Sequence, residues 1–223
     1  VETMIQVARQ KLDVSPRPSV DAIEAILDEA FQTANNTIKG NAEARGNDMG
    51  TTLVACMLVD DRVALFANVG DSRGYLVRNG TLHQVTRDHS LVARMVEQNR
   101  LTAEEARPHP HSNILLRTVG TERNVDIDIF RVDVEPQDRL MICSDGLWGE
   151  VDDAEMETLL VQHDENRVAV RELVRAAHLG GGKDNISVII AAVPESAETH
   201  DARGVTNLPT SKEPNASALT ESG

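Results

Sequence analysis

Three aspartates stand where a run of apolar residues gives way to small ones: Gly70-Asp71-Ser72, Ser144-Asp145-Gly146 and Lys183-Asp184-Asn185, the last preceded by Gly180-Gly181-Gly182. An apolar strand that ends in a carboxylate puts that charge at the rim of a core, where desolvation is costly unless another group compensates it. A cation is the natural partner. Hard divalent ions such as Mg²⁺ and Mn²⁺ select oxygen ligands, and the two cysteines and seven scattered histidines offer no softer set. Aspartate beside glycine is also ordinary turn chemistry. Residue types alone therefore leave a metal site and three unrelated turns both open.

The chain that must position these residues has 223 of them, which suits one globular domain. Apolar residues make up 40% and aromatics only 2%, so the core is packed from aliphatic side chains and base-stacking platforms are not expected. The formal net charge is −14, which speaks against nucleic acid and anionic membranes as partners. Residues 194–223 carry five acids and two bases, so most of the carboxylate surplus belongs upstream. Cys56 and Cys143 each lie in an apolar run and read as reduced core residues of a cytoplasmic protein. No stretch approaches the roughly 20 apolar residues of a membrane span. The first residue is Val1, already in a helical pattern, which leads to the expectation that residues upstream of it are missing.

Residues 1–12 and 20–38 have helical spacing, with Ile23, Ile26, Leu27, Ala30 and Phe31 on one face of the second and Ser19 placed to cap it. Ser15-Pro16-Arg17-Pro18 separates them into a hairpin. From Thr51 the period shortens. Residues 51–59, 62–69, 73–78 and 81–85 read as one antiparallel meander, turning at Asp60-Asp61, Gly70-Asp71-Ser72 and Asn79-Gly80, the last a strong two-residue hairpin signal. Residues 91–107 read as short helical pieces, and Pro108-His109-Pro110-His111-Ser112 as a mobile flap. Residues 125–134 alternate as a strand, Pro136-Gln137-Asp138 turns, and residues 139–143 form a strand that runs into Ser144-Asp145. Residues 152–163 and 166–178 are amphipathic helices. The apolar run 186–193 is expected in the centre of a sheet. Beyond it the sequence cannot bury enough surface to fold, which gives a domain over 1–193 and a disordered tail over 194–223.

Six motifs occur in order: Met49-Gly50-Thr51-Thr52, residues 68–75 (Asn-Val-Gly-Asp-Ser-Arg-Gly-Tyr), Thr86-Arg87-Asp88-His89-Ser90, residues 114–121 (Ile-Leu-Leu-Arg-Thr-Val-Gly-Thr), residues 138–147 with Cys-Ser-Asp-Gly-Leu at their end, and residues 181–188 (Gly-Gly-Lys-Asp-Asn-Ile-Ser-Val). Over residues 1–193 the sequence closely resembles the metal-dependent Ser/Thr protein phosphatases of type 2C, the PPM family, and its compact bacterial branch in particular. The resemblance implies an α+β fold: a β-sandwich of two antiparallel sheets flanked by helical hairpins, here N-terminally incomplete. It implies a centre of two Mn²⁺ or Mg²⁺ ions with Asp145 and Asp184 as ligands, and Asp71 holding a third, weaker ion together with Asp145. Two such ions roughly 4 Å apart would activate a water for in-line attack on the phosphoryl group without a covalent intermediate.

The same resemblance implies phosphorylated proteins as substrates, a cognate Ser/Thr kinase as the opposing enzyme, and a monomer. His109 and His111 fall in the segment where this branch positions substrate, although a loop histidine beside proline is more often solvated. Asp88 reads as the cap of a helix beginning near Ser90. Trp148 reads as packing beneath the cleft, and Arg73 and Arg117 as partners of acids at the edge of the core. Family members also carry an Arg-x-x-Asn-Glu-Asp element and an Asp-Gly-Met-Gly-Gly-His element before the first helix, neither of which occurs in residues 1–223. Asp145 and Asp184 alone leave two ions under-ligated. Two readings follow: a piece of an active phosphatase, favoured by the retained carboxylates, or a catalytically impaired phosphatase-like module that binds a partner.

Overall fold

The computed structural model describes residues 1–12 and 18–195. The Ser15-Pro16-Arg17 part of the hairpin breaker lies outside them, as does the expected tail from residue 196 on. Helix α1 (Glu2–Leu12) and helix α2 (Val20–Arg45) pack together. Ser19 caps α2 by accepting the Ala22 N–H, and Gly46 ends it in the left-handed conformation, a full two turns beyond the boundary read from the sequence. The extension carries its own contact, since Ala42 is buried.

Among the described residues, seven strands form two antiparallel sheets. In the first, β1 (Leu53–Val59), β2 (Val63–Val69) and β5 (Asp128–Asp133) pair in the order β1-β2-β5. In the second, β3 (Arg73–Arg78), β4 (Thr81–Gln84), β6 (Arg139–Cys143) and β7 (Val188–Ala192) pair in the order β4-β3-β6-β7. Asp60-Asp61 and Asn79-Gly80 make the two tight hairpins, all four residues at positive φ.

Gly70-Asp71-Ser72 is different. It carries the chain from the first sheet to the second, so the expected single meander is in fact two hairpins in separate sheets. Alternation along a strand reports which face is buried and carries no information on which strand lies beside it. The run 186–193 also departs from expectation: among the described residues β7 pairs with β6 alone and is an edge strand, with Ile189 62% exposed. Strand β5 starts at Asp128, three residues late, because Val125 exchanges hydrogen bonds with the Gln32 side chain instead of a strand.

Four layers result. Phe66, Ala64, Leu76, Leu140, Val85 and Val134 fill the space between the sheets. Ile23, Leu27 and Phe31 of α2 cover the outer face of the first sheet. Helices α6 (Asp153–Gln162) and α7 (Asn166–Gly180) cover that of the second through Met156, Leu160, Ala169, Leu173 and Ala177. Two shorter helices, α3 (Leu91–Glu97) and α4 (Ala103–Ala106), lead into the turns of residues 107–113. The sandwich of two antiparallel sheets between helical hairpins is the architecture that the family resemblance implies.

Candidate metal centre

All three strand-end aspartates meet at one end of the second sheet. Antiparallel pairing places Arg73, at the start of β3, opposite Cys143, at the end of β6, and Cys143 opposite Val188, at the start of β7. Asp71 precedes β3, Asp145 follows β6 and Asp184 precedes β7. Their turns are therefore neighbours by register.

Asp145 opens the short helix α5 (Asp145–Trp148). Its Oδ1 accepts the N–H of Gly146 at 3.0 Å. Ser144, in the capping position, bonds across to the Asp184 turn instead of to its own helix: its hydroxyl donates to the Asn185 carbonyl and accepts the Ser187 N–H, both at 3.0 Å. The two turns lie so close that a Cβ on Gly146 would stand 2.4 Å from the Asn185 carbonyl oxygen. Glycine is required there by contact. Asp184 is exposed, and its Oδ1 accepts the Asn185 N–H at 2.6 Å.

Asp71 is 6% exposed. Gly70 before it has φ +110°, and a Cβ there would meet the Thr52 side chain at 2.5 Å. Histidine 89 clamps this glycine: its backbone N–H donates to the Gly70 carbonyl at 2.9 Å, and its Nδ1 accepts the Gly70 N–H at 3.1 Å. With Nδ1 as acceptor, Nε2 carries the proton and faces Asp128 Oδ2 at 3.2 Å. Arg117 completes the group through Asp128 Oδ1. Burial opposes the charge of Asp128, yet the hydrogen bonds from Arg117 and His89 hold its carboxyl below the ordinary range.

Asp88 does not cap the helix. Ser90 does, accepting the Ala93 N–H, which frees Asp88 to take three hydrogen bonds from Arg73. Ser90 is two residues nearer the helix and directly precedes it, so its hydroxyl reaches the orphan N–H that Asp88 was expected to satisfy. Arg73 and Arg117 are thus partners of acids, as expected. Trp148 is half-buried, and its Nε1 donates to the Asp71 carbonyl at 3.0 Å. His109 and His111 lie together in the turns after α4, ring centroids 5.4 Å apart. Cys143 is buried and Cys56 nearly so, and burial pushes both thiols up to about 12, which makes them packing residues.

The electrostatics single out Asp71 and Asp145. Burial first, then the charges of Asp145 and Asp88, push Asp71 up to about 6. Burial and the charge of Asp184 raise Asp145. Each carboxylate is thus held near another, while the bases beside them are engaged elsewhere: Arg73 by Asp88, Lys183 by Glu150. Among the described residues no three acidic, histidine or cysteine side chains close into a finished ion cage. What the aspartates offer is carboxylate oxygen alone, a donor set that suits a hard divalent cation. Sequence reasoning missed His89 as the clamp on the Asp71 turn and Ser144 as the latch between the other two. Both sit inside the quoted motifs, but their partners are distant in sequence.

The protein phosphatase 2C family matches residues 2–112. The serine/threonine phosphatase stp of Listeria welshimeri is 41% identical over 174 residues, 77% of this chain and 69% of that protein. Among solved structures, Stp1 of Staphylococcus aureus superposes with a TM-score of 0.79 at 29% identity, covering 86% of this chain and 76% of that one. The catalytic domain of PstP in complex with two manganese ions gives 0.73 at 33% identity over 86% of this chain and 79% of that one. With the sandwich, the six motifs and the aspartate rim on the same chain, it belongs to the protein phosphatase 2C family, the metal-dependent serine/threonine protein phosphatases.

Proposed function

We propose that Asp145 and Asp184 hold the catalytic cations of this phosphatase and that Asp71, with Asp145, takes a further, weaker one. The observation that carries the reading is the mutual repulsion of carboxylates brought together at one sheet end, with the neighbouring bases engaged elsewhere. A buried charge pair of one sign is stable only when a counter-charge joins it. Bound there, Mn²⁺ or Mg²⁺ supplies a water acidified towards neutrality and positive charge against the phosphoryl oxygens. The chain's own residues fix the ligands: Ser144 latches the Asp145 and Asp184 turns, and the Gly146 N–H orients the Asp145 carboxylate.

The substrates are phosphoserine and phosphothreonine esters on proteins, and the enzyme opposes a Ser/Thr kinase in the cytoplasm as a monomer. Two reduced packing cysteines support a reducing compartment. No described helix is long and apolar enough to cross a membrane. The test is phosphate release from a phosphothreonine peptide by the full-length protein. Turnover is expected to require Mn²⁺ or Mg²⁺ and to fall about a hundredfold in Asp145→Asn; turnover indifferent to either change overturns the assignment.

A further inference from the structure

We propose that Trp148 is a positioning residue: its indole ties the turn that holds Asp71 to the helix that holds Asp145, so that the two carboxylates face a cation as one rigid pair. The proposal rests on the cation-binding reading above. Trp148 is the last residue of α5 and Asp145 the first, three positions apart and so on one side of a single turn. The indole N–H reaches out of that helix to the Asp71 carbonyl at 3.0 Å. On the ring face, the Arg73 guanidinium lies 3.7 Å from the centroid. That guanidinium is itself fixed by Asp88 and touches the Tyr75 hydroxyl. Segments of chain from β3, α5 and residues 86–90 therefore meet in one stack.

The arrangement answers a mechanical need. Two carboxylates brought together repel, and the His89 clamp fixes Gly70 only, one residue short of the aspartate. Without a second hold, the Asp71 peptide would be free to swing outward and separate the charges. The indole N–H holds the peptide in place whether or not a cation is present, and Arg73, mostly buried beside it, holds the ring through a desolvated cation–π contact. With its N–H occupied by Asp71, Trp148 has no donor left for a substrate.

Trp148 is the one tryptophan of the chain, so its emission reports this stack directly. Titration of diamagnetic Mg²⁺ into the full-length protein is expected to change the emission, and Asp71→Asn, which leaves the indole in place, is expected to abolish the change. In a second measurement, Trp148→Phe keeps a ring beneath Arg73 but has no N–H. Its Mn²⁺ affinity, read from the electron paramagnetic resonance signal of free Mn²⁺, is expected to fall about five- to tenfold, the weight of one hydrogen bond. An emission change that survives intact in Asp71→Asn overturns the proposal, as does a folded Trp148→Phe protein that binds Mn²⁺ as tightly as the parent. If the Phe variant does not fold, the emission arm decides. A parent protein that binds no Mn²⁺ removes the cation-binding reading itself, and this proposal with it.

Discussion

Two buried aspartates lie at opposite ends of the β4-β3-β6-β7 sheet, and the chain treats them differently. Asp138, 3% exposed, sits just before β6 and receives two side-chain nitrogens of Arg78 and the Glu135 N–H. Asp71, 6% exposed, sits just before β3, with Asp145 and Asp88 as its strongest charged neighbours. One carboxylate has its counter-charge built in. The other has like charges built in, and the difference sets a self-compensated end of the sheet apart from the end where the cation site is proposed.

Breaking the compensated end should give the largest effect. Arg78→Ala strands Asp138 in the interior, and unfolding in denaturant is expected to show a loss of about 3 kcal/mol. At the other end, Gly146→Ala drives a methyl into the Asn185 carbonyl and wedges the Asp145 and Asp184 turns apart. It is expected to cost about 2 kcal/mol by the same measurement and to weaken Mn²⁺ binding in calorimetry.

The smallest expected effect has the opposite sign. In metal-free protein Asp71 titrates near 6 against an ordinary 3.8, so the native state holds its proton more tightly than the unfolded chain. Stability therefore falls as pH rises from about 4 to about 6 and stays lower above. Asp71→Asn removes that fall and is expected to stabilise the metal-free protein at pH 7 by about 1 to 2 kcal/mol, with no gain at pH 4. Saturating Mn²⁺ should reverse the order. An Asn variant that destabilises the metal-free protein at pH 7 would erase the contrast with Asp138.

The parts of this molecule legible in sequence are those fixed by neighbours in the chain. Asn79-Gly80 takes positive φ at both residues, Ser19 caps α2, and the apolar faces of α2, α6 and α7 point where their spacing says. What escaped depended on distant partners. The crossing at Gly70-Asp71-Ser72 looks like any tight turn until β3 is seen to pair with β6. The β7 run looks doubly buried because Val188 and Ile190 pack on one face, while Ile189 on the other is left exposed. Asp88 looked like a cap because its pairing with Arg73 spans fifteen residues. The aspartates themselves were found from residue type and position, and their convergence follows from strand register, which no local pattern encodes.

The clamp of His89 on Gly70 has a mechanical consequence. Two sheets packed face to face through aliphatic side chains have little to stop them from sliding, since such contacts are non-directional. Asp71 rides on the strap between them and would drift with any slip. His89 bolts the strap through both backbone polar atoms of Gly70 and anchors the bolt to Asp128 at the start of β5. Shear in the sandwich is thereby kept from reaching the carboxylate.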